Sequence, residues 1–362
     1  MEPVSVLKKF MNIRKINSIG IVGANITSML LCIEAKKRGI ETILLDQDVD
    51  NIAADYATTC LVAPFDRSNL ERLALRTDCM IFTTNILEGT TDELDGALPV
   101  YPNFAARTLL TDRVKQIVMA EELKINLPDY FVCEDLDDIE ETHQILTIPY
   151  RCYQYFRNDL EIYLIDSEQA EIEVESLLNI EEGMCVFEQI KDYKQILSIT
   201  VLRDNYKNIS LYPIVQEKED EDSSNSQINV PANITKSNVK KIETIVKRIV
   251  RYMDSAGVFT FRFGITHDRQ LEWVGMTPGV NVADIYTNHY TTLSVYEQFM
   301  NIIENNKAIP VTLTEKNCVY ITDNSNGFLD IEQPYHLYRM MLQDRDNINI
   351  YVIPEREEDI EV

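Results

Sequence analysis

The chain has 362 residues, 45% of them apolar, which suffices for two or three domains with substantial cores. Its 59 acidic against 34 basic residues leave a formal net charge of -25. That balance disfavours nucleic acid and anionic membrane as partners, because both are captured by clustered Lys and Arg. No run approaches 18 uncharged apolar residues, so no membrane span is expected. Met1 to Asn17 lacks the apolar core and cleavage site of a secretory signal. The seven cysteines, without a CxxC, fit free thiols in a reducing cytoplasm rather than disulfides or a zinc site.

The first element is an apolar strand over 19–23, followed by a tight turn and a helix over 25–38 closed by Gly39. A second strand follows at Glu41-Thr-Ile-Leu-Leu-Asp46. Strand, helix and strand in that order predict a parallel sheet with a right-handed crossover, the opening of a nucleotide-type α/β unit. Such a turn ordinarily carries three glycines, since bare backbone turns sharply and approaches phosphate closely. Gly23 is present, but Asn25 and Ser28 stand at the next two positions. Asp46 ends the second strand where dinucleotide folds place a ribose-binding acid, though acids also occur there without that role. A helix over 69–76 and a strand over 79–83 extend the sheet, and the first domain is expected to end near Pro99-Val-Tyr-Pro102.

A helical stretch (103–123) and an extended segment (126–133) come next, then strands alternating with acidic helices up to Asp204. Residues 196–203 and 209–215 read as neighbouring antiparallel strands. The run Glu217 to Asn229 is polar and acidic and is expected to be a loop. Residues 235–256 carry helical period up to Gly257; 258–265 and 270–274 read as a strand pair, and 293–305 as a helix. Residues 311–353 read as a small, mainly-β appendage. The expected units are thus 1–102, 103–305 (with a lid over about 130–190) and 306–362.

The order Ile19-Gly-Ile-Val-Gly23, Val100-Tyr-Pro102, Thr111-Asp-Arg113, Phe187-Glu188, Leu211-Tyr-Pro-Ile-Val215, Val230-Pro-Ala-Asn-Ile234, Gly257-Val-Phe-Thr-Phe261 and His289-Tyr290 resembles the ATP-grasp superfamily. Within it the spacing is similar to the 5-(carboxyamino)imidazole ribonucleotide synthase family of purine biosynthesis, over about residues 19–310. The resemblance implies an ATP-grasp fold: an N-terminal parallel sheet, central α+β lobes and a small C-terminal β unit. It also implies a homodimer, with another protein as a further candidate partner, in the cytoplasm.

The family activates bicarbonate with ATP, which demands cations on the phosphates and carboxylates holding magnesium. The resemblance places the family's two metal-binding glutamates at Arg262 and Gly275, neither of which offers a side-chain oxygen, so magnesium is not expected. Glu272 lies nearby and reads as the outward residue of an exposed hairpin. The family's glycine-rich phosphate loop corresponds to Arg151-Cys-Tyr-Gln-Tyr-Phe-Arg-Asn-Asp-Leu-Glu161, which lacks glycine; bulky Tyr155 and Phe156 would keep phosphate from the backbone. Arg151 stands where the lysine before that loop should be, Arg113 where an arginine contacts phosphate, and Glu188 at the hinge beside adenine. These three are the candidate ATP contacts. The family's ribose-binding glutamate is Ile196 here. On the substrate side, the turn Gly23, Asn25 and Ser28 is degraded, and Thr83-Thr84-Asn85 and Pro278-Gly279-Val280-Asn281 replace the ligand-gripping motifs.

Four histidines (143, 267, 289 and 336) are too dispersed in sequence to suggest a metal cluster, and no nucleophile motif is present. Trp273 reads as core packing, and Tyr150, Tyr153, Tyr155 and Phe156 as a self-packed aromatic group or a protein contact. The expected function is a non-catalytic relative, regulatory or scaffolding. The alternatives are an ATP-dependent carboxylating ligase working with diverged residues and a small-molecule sensor using the old cleft.

Overall fold

A computed structural model describes residues 15–84, 92–133, 145–156, 159–177, 185–219, 226–280, 282–323, 334, 336–341 and 347–354. Strand β1 (Ser18–Val22) leads through Gly23 into helix α1 (Ile26–Lys37) and strand β2 (Glu41–Asp46). Strand β3 (Thr59–Val62), helix α2 (Arg67–Ala74), strand β4 (Cys79–Phe82), helix α3 (Asp92–Ala97) and strand β5 (Val100–Tyr101) complete the first unit. Its sheet runs β3-β2-β1-β4-β5 with every pair parallel, as the strand–helix–strand rhythm predicts. Parallel strands cannot be joined by a hairpin, so α1 is the crossover between β1 and β2. It is apolar nearly all round because it is buried between this sheet and a C-terminal helix.

Helices α4 (Phe104–Thr111) and α5 (Arg113–Glu122) divide the expected single helix at Asp112, whose carboxylate caps α5 by accepting from Lys115 N. A four-stranded antiparallel sheet follows: β6 (Tyr130–Cys133), β7 (Tyr150–Phe156), β8 (Asp159–Ile165), helix α6 (Glu168–Leu177) and β9 (Cys185–Gln189), in the order β6-β9-β7-β8.

The largest sheet is built on β10 (Gln195–Arg203). Its C-terminal half pairs with β11 (Ile209–Leu211) and its N-terminal half with β12 (Val215–Glu219). The expected strand over 209–215 is therefore two strands, interrupted at Tyr212-Pro213-Ile214. β12 forms a hairpin with β13 (Ser226–Val230). This corrects the expected loop over 217–229: ladders to β10 on one side and to the C-terminal strands on the other override a polar composition, and Ile228 and Val230 point into the core. Residues 220–225 lie outside the described residues.

Helix α7 (Lys236–Met253) buries Ile242, Val246, Ile249, Val250 and Met253 along one stripe. It ends before the expected Ala256 because Asp254 adopts a left-handed φ of 44° and its carboxylate pairs with Arg203. Strand β14 (Gly257–Ile265) then runs beside β10 in an unbroken antiparallel register from Arg203–Gly257 to Gln195–Ile265, and β15 (Leu271–Pro278) returns along it. Helix α8 (Thr287–Tyr290) precedes α9 (Val295–Ile303), which packs on α1 and carries a capping box between Ser294 and Glu297. The expected C-terminal β unit is present as β16 (Asn317–Asp323), β17 (His336–Met341) and β18 (Asn347–Pro354). These strands continue the large sheet through β13–β16, giving the order β15-β14-β10-β12-β13-β16-β18-β17.

The tertiary fold brings together two histidines that are far apart in sequence. The rings of His289 in α8 and His336 in β17 stack with centroids 3.5 Å apart and planes 4° from parallel. Burial, reinforced by the second ring, pushes His289 down from the usual 6.5 to about 4. A folded-state value below the unfolded one means that the unfolded chain binds the extra proton, so this contribution to stability is whole above about pH 6.5 and is lost as the pH falls toward 4. Comparing urea midpoints across that window, we expect the wild-type chain to lose more stability on acidification than His289→Gln; equal losses would show that the stacked pair does not sense protons.

Candidate functional site

A cleft of about 440 Å³ lies between the four-stranded sheet and the large sheet. The end of α4 and start of α5 contribute Thr111, Arg113 and Gln116, β7 contributes Tyr153, β12 Glu217, and the β14–β15 pair Arg262, Gly275 and Thr277. Its volume lies in the small-ligand range. Its charged groups, however, are already engaged with one another.

Arg113 and Glu188 are each 5% exposed. The Arg113 guanidinium donates from Nε to Glu188 Oε2 at 2.8 Å and from Nη2 to the same oxygen, while Nη1 donates to Gln116 Oε1 at 3.0 Å. Gln116 is itself held by the carbonyls of Leu109 and Leu110, at 3.1 and 3.0 Å. The Trp273 ring lies 5.7 Å from the guanidinium carbon. Two of the three candidate ATP contacts thus neutralise each other in the cleft wall, and Arg113 is no helix-surface ion pair. Arg151 sits beside them in register, opposite Glu188 across β7–β9; it is exposed and bonds the Tyr153 side chain. Tyr153 is pushed above its ordinary value by burial first and by Glu188 second.

Arg262 and Gly275 face each other across the β14–β15 ladder, where a bulge follows Arg262. Arg262 Nη2 lies 2.8 Å from Glu217 Oε2. A Cβ added at Gly275 would meet nothing within 4 Å, so the position is empty of side chain without being crowded. This pair of positions does not fit magnesium: one side chain is a cation and the other is absent. Among the described residues, no group of three or more His, Cys, Asp or Glu is placed to hold a metal ion.

Glu272 is not the outward residue expected of an exposed hairpin. It is buried, accepting from Lys191 Nζ at 2.8 Å and Tyr193 hydroxyl at 2.9 Å. The hairpin is covered because the Tyr193 ring packs over Gly264, where a Cβ would come within 2.3 Å of ring carbons. Trp273 is fully buried, as expected, its backbone N–H donating to Asn126 O at 2.8 Å. Tyr150 is likewise core, edge-on to Phe187 at 5.9 Å, while the side chains of Tyr155 and Phe156 lie outside the described residues.

The N-terminal turn closes on itself, and Thr27 just after it donates to Val280 O at 3.4 Å. Gly23 has φ 94° and its missing Cβ would stand 2.6 Å from Thr84 Cγ2, so glycine is required there. Asn25 and Ser28 form a capping box, Asn25 Nδ2 donates to Thr83 O at 2.8 Å, and Ser28 Oγ donates to Gly23 O. Asp46 accepts from Ala24 N at 2.6 Å and from Asp48 N at 2.9 Å. The backbone donor a phosphate would need is taken by the chain's own carboxylate. Asn85 and Asn281 lie outside the described residues.

Sequence reasoning missed Glu217, hidden in what read as a loop, and the pairing of Arg113 with Glu188, for which a separation of 75 positions leaves no local signal. Removing one partner of a buried pair leaves the other charge desolvated and uncompensated, at about 3–5 kcal/mol. Glu188→Leu should therefore lower the unfolding free energy read from urea titration by about that amount, and Arg113→Met with Glu188→Leu should recover most of it. A single variant as stable as wild type would show that the pair is open to water.

The ATP-grasp domain family matches residues 118–280. The chain is 22% identical over 325 residues to N5-carboxyaminoimidazole ribonucleotide synthase of Brucella melitensis biotype 1, covering 88% of this chain and 87% of that one. It is 24% identical over 267 residues to the enzyme of the same name from Staphylococcus aureus strain COL, covering 72% and 70%. The solved N5-carboxyaminoimidazole synthetase from Staphylococcus aureus, also solved with ADP, superposes with a TM-score of 0.78 at 19% identity over 95% of this chain and 94% of that one. The Thermotoga maritima counterpart superposes at 0.73, with 19% identity and 95% of each chain. At these identities the structural likeness establishes the fold.

Proposed function

We propose, from the premise that the chain is an ATP-grasp protein of the N5-carboxyaminoimidazole ribonucleotide synthase-like kind, that it is a non-catalytic relative acting as a regulatory or scaffolding protein. The observation that carries this reading is Arg262 facing Gly275 across the β14–β15 ladder, with Arg262 tied to Glu217. Phosphoryl transfer concentrates negative charge on the moving group, and its stabilisers are metal ions, cations and a backbone-lined loop. Here the metal-side positions hold a cation and a glycine, and Arg113 is committed to Glu188. Arg151 remains as an exposed cation on β7, and the stretch 151–161, expected as a loop, is carried by the paired strands β7 and β8 and has no glycine. Each such group removed from a transition state lowers the rate by orders of magnitude, so their joint loss is prohibitive.

The preserved cleft supports a second reading, a sensor that binds a small molecule without turning it over. The relatives' names, which are those of purine-biosynthetic enzymes, support the third, a ligase with diverged residues. The resemblance also supports a homodimer in the cytoplasm.

Thermal-shift titration with ATP separates these readings, because stabilisation grows with the logarithm of ligand over its dissociation constant. We expect no magnesium-dependent rise in Tm, and no ATP hydrolysis driven by aminoimidazole ribonucleotide and bicarbonate. Arg262→Glu with Gly275→Glu should create a magnesium-dependent rise, since the space at Gly275 is open. Wild-type turnover near about one per second, the low end of common enzyme rates, would overturn the non-catalytic reading in favour of the ligase.

A further inference from the structure

On the face of the large sheet's helix α7, away from the cleft, a second concavity of about 680 Å³ opens between the segment after α5, the first turns of α7 and the β14–β15 turn. Lys124, Lys240, Lys241 and Arg269 line it. All four are exposed, and among the described residues none of the four forms an ion pair. In a chain with 59 acidic and 34 basic residues, four cations gathered without acidic partners are against the composition. The lining carboxylate, Asp268, accepts from the Thr266 hydroxyl. The backbone at Lys124 (φ 48°) and Arg269 (φ 69°) is left-handed, a conformation disfavoured for side-chain-bearing residues, and it shapes two of the walls.

We propose that this groove is a binding site for a phosphorylated small molecule bearing a ring. Cations at the rim supply the attraction for a phosphate that the rest of this acidic surface repels. Arg269 offers a planar fork for phosphate oxygens, and the lysines offer point charges. Ser237 and Thr244 add hydroxyls, while Ile125, Ile245 and Leu271 form an apolar floor suited to a ring. An extended acidic peptide would need a longer basic track; these charges converge on one concavity.

Calorimetric titration of the full chain, without magnesium, with inorganic phosphate and with adenosine 5′-monophosphate tests the assignment. Both should bind, the nucleotide at least fivefold more tightly because its ring reaches the apolar floor, and both more weakly as salt rises. Lys240→Ala/Lys241→Ala/Arg269→Ala should weaken both at least tenfold while melting like wild type, since the three side chains are exposed and unpaired. Arg262→Ala, in the cleft, should leave both constants within twofold. Equal binding by the triple variant, loss of binding in Arg262→Ala, or no heat from either ligand would overturn the site. A hexaglutamate peptide that binds more tightly than the nucleotide would replace the small molecule with an acidic protein segment.

Discussion

The cleft is organised around one buried ion pair, Arg113 with Glu188. Arg113 opens α5 and Glu188 lies mid-strand in β9, so the pair joins the helical layer of the large sheet to the four-stranded sheet. Both charges are taken out of water, so each must be answered by the other and by further donors and acceptors. Gln116 supplies that second layer, and it is fixed in turn by two carbonyls at the end of α4. A pair of apolar residues would fill the same space without the desolvation penalty. The pair holds a geometry in which two sheets meet across a cleft, and both charges are used in holding it.

The same economy recurs at several other polar positions among the described residues. Arg262 is held by Glu217, Asp46 accepts from the turn beside Gly23, Asn25 and Ser28 close on each other, and Glu272 is taken by Lys191 and Tyr193. A site that binds charged ligands keeps donors and cations preorganised and unsatisfied until the ligand arrives. In this cleft Arg113 and Arg262 are held by carboxylates, while Arg151 beside them is exposed. The groove beside α7 has the opposite character, with four cations that form no ion pair among the described residues.

The two regions are also mechanically adjacent. Helix α5 begins at Arg113 in the cleft and is followed by Lys124 at the groove, about 16 Å away at helical rise. The β14–β15 hairpin carries Arg262 and Gly275 midway along its ladder and Arg269 at its turn. Trp273, fully buried between them, donates its backbone N–H to Asn126 in the groove wall and faces Arg113 in the cleft.

The sequence by itself determined the elements whose residues carry their own periodicity. The β1–α1–β2 opening, the stripe of α7 and the predominantly apolar β14 are legible because local burial patterns repeat at 2 or 3.6 residues. That Arg262 and Gly275 offer no side-chain oxygen is legible for a similar reason, since arginine and glycine lack one wherever they sit. Tertiary structure decided the rest. The polar strands 215–219 and 226–230 form because β10 and β16 pair with their outer edges, and no local pattern announces partners supplied from elsewhere. Arg113 and Glu188, Arg262 and Glu217, His289 and His336 are each brought together by pairing or packing between distant segments. Sequence shows which charges exist; only the fold decides which of them face each other out of water and which are left to face a ligand.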